Sequence, residues 1–182
     1  TDELYLSQNR LSAALVLISL GMPFLLAGEE FARTKLGDHN SYRSPDNVNS
    51  IDWCRSVAYE GLLEYYKGLI KIRKAFSPLR DNTTKAVNDT YIVYNGRIIS
   101  ITGINDKENE FKMFSLIVNN SDTPAPIEIK SQFELPKKWK IIADSKKAGL
   151  TSLGDFEENM QIPARSAMIL VDEESYNLIN QK

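Results

Sequence analysis

Five side chains in a short stretch could do chemistry together: Asp38, His39, Asn40, Tyr42 and Arg43. Planar polar groups can bond to neighbouring hydroxyls, and an aromatic face can lie against the C–H surface of a pyranose ring. Asp38, His39, Asn40 and Arg43 supply the first and Tyr42 the second. Tyr42 is the stacking candidate and Asn40 the hydroxyl partner. A competing reading needs no ligand: Asp, Asn and Ser commonly bond their own backbone, so the same residues could simply order a loop.

Carboxylates also gather here: Glu29, Glu30, Asp38, Asp46 and Asp52. Cleaving a glycosidic bond with retention needs two carboxyl groups about 5 Å apart on either side of it. One of them must have a raised pKa to serve as the acid. Glu29 and Glu30 are adjacent and would point apart from a strand end. Ion pairing with Arg33 or Lys35 accounts for them. Asp38 and Asp46 sit in turn contexts. No catalytic residue is assigned. With one histidine, His39, and one cysteine, Cys54, a zinc site of several His and Cys ligands is excluded, and no metal or cofactor is expected. His39 reads as a surface residue and Cys54 as a small buried hydrophobe.

The chain has 182 residues, 42% hydrophobic and 25% charged, with a net charge of −2. That is the balance of a globular chain and lacks the basic excess of a nucleic-acid binder. The length suits one domain, or a small domain with an appended piece; a complete β/α barrel needs roughly 250 residues. The longest apolar stretch, Ala13 to Gly28, is broken by Ser19, Gly21 and Pro23 and falls short of a bilayer span, so no membrane is expected. The chain opens at Thr1 inside a helical pattern, as a piece of something longer would. With no secretory leader in view, the cytoplasm is favoured over the cell surface.

The elements follow from the periodicity. Thr1 is a plausible N-cap, and Leu4, Leu11, Ala14, Leu15 and Ile18 recur at helical spacing up to Gly21. Met22 to Gly28 is a continuous apolar run that reads as a strand buried on both faces. Residues 29–53 form a long polar loop. Helical period returns over 55–76, with Tyr59, Leu62, Leu63, Tyr66, Leu69, Ile70 and Arg73 sharing a face. Leu79 to Asp89 reads as a linker. Beyond it the period becomes two, with strands expected at 91–95, 97–102, 112–119, 126–130, 137–144 and 166–171 and a turn at Asn95-Gly96. Short strands at this spacing predict an antiparallel sandwich. Tyr91, Tyr94, Phe111 and Trp139 could line a binding platform there or pack across strands.

The run Gly21-Met-Pro-Phe-Leu-Leu-Ala-Gly-Glu-Glu30 resembles the last barrel strand of the alpha-amylase superfamily. Phe31-Ala-Arg-Thr-Lys35, Gly37-Asp-His-Asn-Ser-Tyr42 and Asn49-Ser-Ile-Asp-Trp53 narrow the resemblance to type I pullulanases and related debranching enzymes. Ile162-Pro-Ala-Arg-Ser-Ala-Met-Ile-Leu-Val171 resembles the closing strand of their C-terminal sandwich. The resemblance implies an α+β fragment. Residues 1–80 would be the last helix, strand and helix of a β/α barrel, and 81–182 an antiparallel β-sandwich. It also implies hydrolysis of α-1,6 branches in pullulan, amylopectin or glycogen dextrins by an Asp nucleophile, a Glu acid/base and a supporting Asp. All three would lie before Thr1, which leaves this chain inactive alone. The loop at 37–53 would contribute glucose-binding contacts on the non-reducing side of the cleavage point. The expected partners are an α-glucan and the rest of the barrel. Unmatched apolar faces are expected to leave residues 1–76 poorly anchored or self-associated. The alternatives are a stand-alone carbohydrate-binding module and a purely structural one.

Overall fold

The computed structural model describes residues 2–180, so the expected cap at Thr1 lies outside the described residues. Helix α1 (Asp2–Leu17) is followed by an irregular stretch to residue 45. Then come the short helices α2 (Asp46–Asn49) and α3 (Arg55–Ala58), the long helix α4 (Glu60–Ala75) and α5 (Thr84–Asn88). Strands β1 (Thr90–Asn95), β2 (Ile98–Ile104), β3 (Met113–Asn119), β4 (Ala125–Pro126), β5 (Trp139–Ala143), β6 (Gly154–Asp155), β7 (Gln161–Ile162) and β8 (Ser166–Asp172) precede helix α6 (Glu173–Asn180). Six strands form one antiparallel sheet in the order β1-β2-β3-β8-β5-β6; β4 and β7 form a separate two-stranded ribbon. None of the described helices is long and apolar enough to cross a membrane.

β3 and β8 are buried along their whole length and are apolar apart from Ser115 and Asn119 in β3 and Ser166 and Asp172 in β8. The register divides the side chains cleanly. Ile99, Val118 and Ala167 form one row and Ile101, Leu116 and Ile169 the next, and both rows face α1 and α4. Ile117, Met168, Leu170 and Ile141 face the other way, towards Ile127, Trp139 and Ile162. Gly103 lies opposite Phe114. A Cβ there would sit 2.4 Å from the Phe114 ring, which packs edge-on against Phe76 at 4.6 Å. The missing side chain lets the sheet seat α4. Asp172 caps α6 by accepting from Ser175 N at 2.8 Å, and its other oxygen accepts from Met113 N at 2.9 Å, tying α6 to β3.

Several expectations change. The sandwich reduces to one full sheet, because β4 and β7 pair over only two residues each; helices cover one face, and loops with this ribbon cover the other. The hairpin loop is Gly96-Arg97 rather than Asn95-Gly96, since Asn95 still pairs with Ile98 and Gly96 takes the positive φ of 63°. Met22 to Gly28 is not a strand. A parallel strand exists only through its neighbours' hydrogen bonds, and this segment has none, so Met22 and Phe24 stand 95% and 92% exposed. The stretch 79–89 is no loose linker: Leu79 and Ala86 are buried, and Thr83 caps α5 by accepting from Ala86 N. On α4, Ile72 is buried while Ile70 turns outward. Nor are the helices poorly anchored. Leu11, Leu17, Leu62 and Leu69 share one core with Leu116, Ile142 and Val171.

Candidate functional site

The loop begins with two reversals, Gly28 at φ 94° and Ala32 at φ 58°, on either side of a single helical turn at Glu29–Phe31. Glu29 and Glu30 form no ion pair with Arg33 or Lys35. Glu29 accepts from Leu26 N at 3.2 Å and Glu30 from Gly28 N at 2.9 Å, because the tight turn leaves backbone donors within reach. Asn9 and Tyr66 hold this turn to the helices: Asn9 Nδ2 donates to Glu29 O at 3.1 Å, and Tyr66 Oη donates to Asn9 Oδ1 at 2.8 Å. Burial first, and the Glu29 carboxylate second, push the Tyr66 phenol well above its ordinary range.

Asn49 organises the next turn. Its Nδ2 donates to Ser41 O and Ser44 O, each at 2.7 Å, and its Oδ1 accepts from Lys35 Nζ at 2.7 Å. Arg33 donates to Ala27 O at 2.9 Å and also to Asn49 O. Arg55 Nε reaches Ala32 O at 3.0 Å. The Trp53 ring meets the buried Phe31 at 5.7 Å, yet Trp53 remains 68% exposed. Cys54 is exposed rather than buried, as it opens the turn that Asp52 caps by accepting from Cys54 N at 3.0 Å.

Within this frame Asp38, Asn40 and Ser44 come together. Asp38 Oδ1 accepts from Asn40 N at 2.9 Å and Oδ2 from Ser44 Oγ. Both carboxylate oxygens are thus engaged in ordering the loop. Tyr42 is 72% exposed, with the Arg43 guanidinium 5.1 Å from its ring centre. His39 is exposed and has no hydrogen-bond partner among the described residues. The loop therefore presents an aromatic face, a cation and an amide on a surface rather than inside a pocket. The organising role of Asn49 has no counterpart in its spacing, whereas Trp53 meets Phe31 as the sequence expectation of a loop anchor requires. The signal for that anchor is an aromatic closing an Asn-rich loop. Of the proposed platform, Phe111 and Trp139 are buried in the two cores, which leaves Tyr94 exposed at the sheet edge. Among the described residues no group of three or more His, Cys, Asp and Glu side chains could hold a metal ion.

The Ser44 hydroxyl, followed by the Asn40 amide, holds the Asp38 carboxyl below its usual pKa. A depressed folded-state pKa means the loop's order is fully present above the ordinary carboxylate range and fades as pH falls through the lower folded value. The amide and side-chain resonances of Asn40 and Ser44 are expected to titrate together below pH 4. If the Asn40 amide is unmoved at low pH, the turn is held by something other than Asp38.

The fold is similar to part of known debranching glycoside hydrolases. The chain is 43% identical over 74 residues to the pullulanase of Bacillus subtilis (strain 168), a match covering 41% of this chain. It is 35% identical over 81 residues to the isoamylase of a Flavobacterium species, covering 44% of this chain. The solved pullulanase of Anoxybacillus sp. LM18-11, complexed with maltotriose, superimposes with a TM-score of 0.78 at 27% identity over 94% of this chain. No family model matches. These likenesses support part of a pullulanase-type debranching enzyme. The matches span only 10% of each curated relative and 23% of the solved structure.

Proposed function

We propose that this chain is the C-terminal part of an α-1,6-glucan debranching enzyme, supplying a wall of the substrate cleft while the reacting carboxylates reside elsewhere in the parent. Residues 1–80 then correspond to the last helix, strand and helix of the barrel, and 81–182 to the C-terminal β domain. The observation that carries the reading is the loop at 37–53, held rigid from beneath by Asn49 while Tyr42 and Arg43 face outward. Asp38 positions Asn40; Asn40, His39, Tyr42 and Arg43 face the sugar. The maltotriose bound by the Anoxybacillus relative supports an α-glucan as the ligand.

The test is an amide-shift titration of the chain with a branched maltooligosaccharide, alongside a reducing-sugar assay on pullulan. Shifts confined to residues 37–53 without hydrolysis are expected. Cleavage of pullulan, or silence of the loop at millimolar ligand, removes the proposal.

The uncovered apolar row of Met22, Phe24 and Leu26 fits a segment that belongs between neighbouring barrel strands. Left bare, it is a self-association surface. The double variant Met22→Ser, Phe24→Ser is expected to shift the chain towards monomer in sedimentation velocity with no loss of thermal stability. Unchanged association would place the sticky surface elsewhere.

A further inference from the structure

A groove of about 760 Å³ opens between α4 and the turn that follows β5. Its walls include Tyr65, Gly68, Ala148, Leu150 and Leu153, and its cations are Arg10, Lys71, Lys146 and Lys147. The size and the apolar walls are those of a small-molecule site. Gly68 makes the groove: a Cβ there would stand 1.9 Å from Ala148 O, so only glycine lets the turn lie this close to the helix.

The charge in the groove is uneven. Lys71, Lys146 and Lys147 take part in no ion pair among the described residues. Arg10 is only 9% exposed; Glu3 engages its Nη1 at 3.0 Å, and its Nε is buried without a partner. The acids nearby are committed elsewhere. Glu64 pairs with Lys67 at 2.6 Å. Asp144 accepts from Lys146 N and Lys147 N, each at 2.7 Å. A chain with a net charge of −2 thus concentrates cations at one apolar groove. Lysines and an arginine lining one groove suit a multiply charged anion.

We infer that this groove binds an organic phosphate, with the phosphate on Lys71, Lys146 and Lys147, backed by the buried Arg10, and a sugar body against Leu150 and Leu153. The site shares no residue with the loop at 37–53; the anion site stands on the groove alone, and the sugar body rests on the debranching reading. The phosphate could belong to a free sugar phosphate or to an ester on a glucan chain.

The experiment is an amide-shift titration of the full chain with glucose 6-phosphate, with a phosphorylated maltotriose, inorganic phosphate and glucose in parallel. Shifts at Tyr65, Gly68, Lys71 and residues 146–153 are expected with either sugar phosphate, and the tighter of the two names the source. Glucose should leave these residues unmoved. The variant Lys146→Gln, Lys147→Gln, both on exposed side chains, should keep the spectrum's dispersion and weaken binding roughly tenfold. Absence of shifts at millimolar ligand overturns the inference. So does an equal response to glucose, shifts spread over lysines elsewhere such as Lys137 and Lys138, or a double variant that binds as well as the parent chain.

Discussion

Replacement of Arg73 by methionine is expected to cost on the order of 4 kcal/mol of unfolding free energy. Arg73 is buried on α4, and its guanidinium donates to Leu17 O at 2.8 Å, Ser19 O at 2.7 Å, Leu79 O at 2.8 Å and also Gly21 O. Leu17 O is one of the last acceptors of α1, which a helix leaves unsatisfied, and Ser19 and Gly21 lie in the turn just beyond it. Burial, and then the nearby Arg80, push the guanidinium below its ordinary value, but an arginine keeps its proton throughout the accessible range. Methionine fills similar volume and offers no donor. The loss is therefore mainly that of the buried Leu17 and Leu79 carbonyls left unpaired, rather than that of a cavity. Lysine at this position should recover only part, since one ammonium cannot serve the same fan of acceptors. Urea unfolding of the three proteins checks this. A methionine variant within 1 kcal/mol of the parent would mean that water reaches these carbonyls.

Gly68→Ala comes next, and here two effects oppose each other. Inside a helix alanine is favoured over glycine by about 1 kcal/mol. Against that stands the contact with Ala148 O, which leaves no room for a methyl group. Overpacking of this kind costs about 3 kcal/mol, so the contact should win and the variant should lose about 2 kcal/mol net. Gly61 lies on the same helix with nothing within 4 Å of a built Cβ. Gly61→Ala should gain a few tenths of a kcal/mol up to about 1 kcal/mol. Opposite signs for two identical substitutions on one helix are the expected result in thermal unfolding. If both stabilise, the 146–149 turn does not press on α4 in solution.

What the sequence disclosed followed from how local the cause was. The hairpin and the strands at 113–119 and 166–172 were legible because alternation and apolar runs act over a few residues. The segment 22–28 was misread because its strand character is supplied by neighbours, not by its own side chains. Ile70 falls outside the core because the buried face of α4 is set by where the sheet lies, which helical period alone does not specify. In the loop, the residues on display could be picked out by type. That Asp38 is spent on Asn40 and Ser44, and that Asn49 joins Lys35, Ser41 and Ser44, depends on a fold-back no spacing rule predicts. The shared core of helices and sheet was hidden for the same reason: α4 is separated from β8 by some 90 residues of chain.

The place of β8 in the sheet matters during synthesis. It lies between β3 and β5, which touch no other strand on those sides. Until residue 172 has left the ribosome, the nascent chain holds two half-sheets, each with a bare apolar edge, and helices with only part of a surface to pack on. Closure is thus deferred to the last strand made, and the long-range pairing it requires is the slow kind. Translation leaves the facing edges of β3 and β5 bare for as long as β8 takes to arrive, so that interval is when a chaperone or a neighbouring nascent chain can capture them.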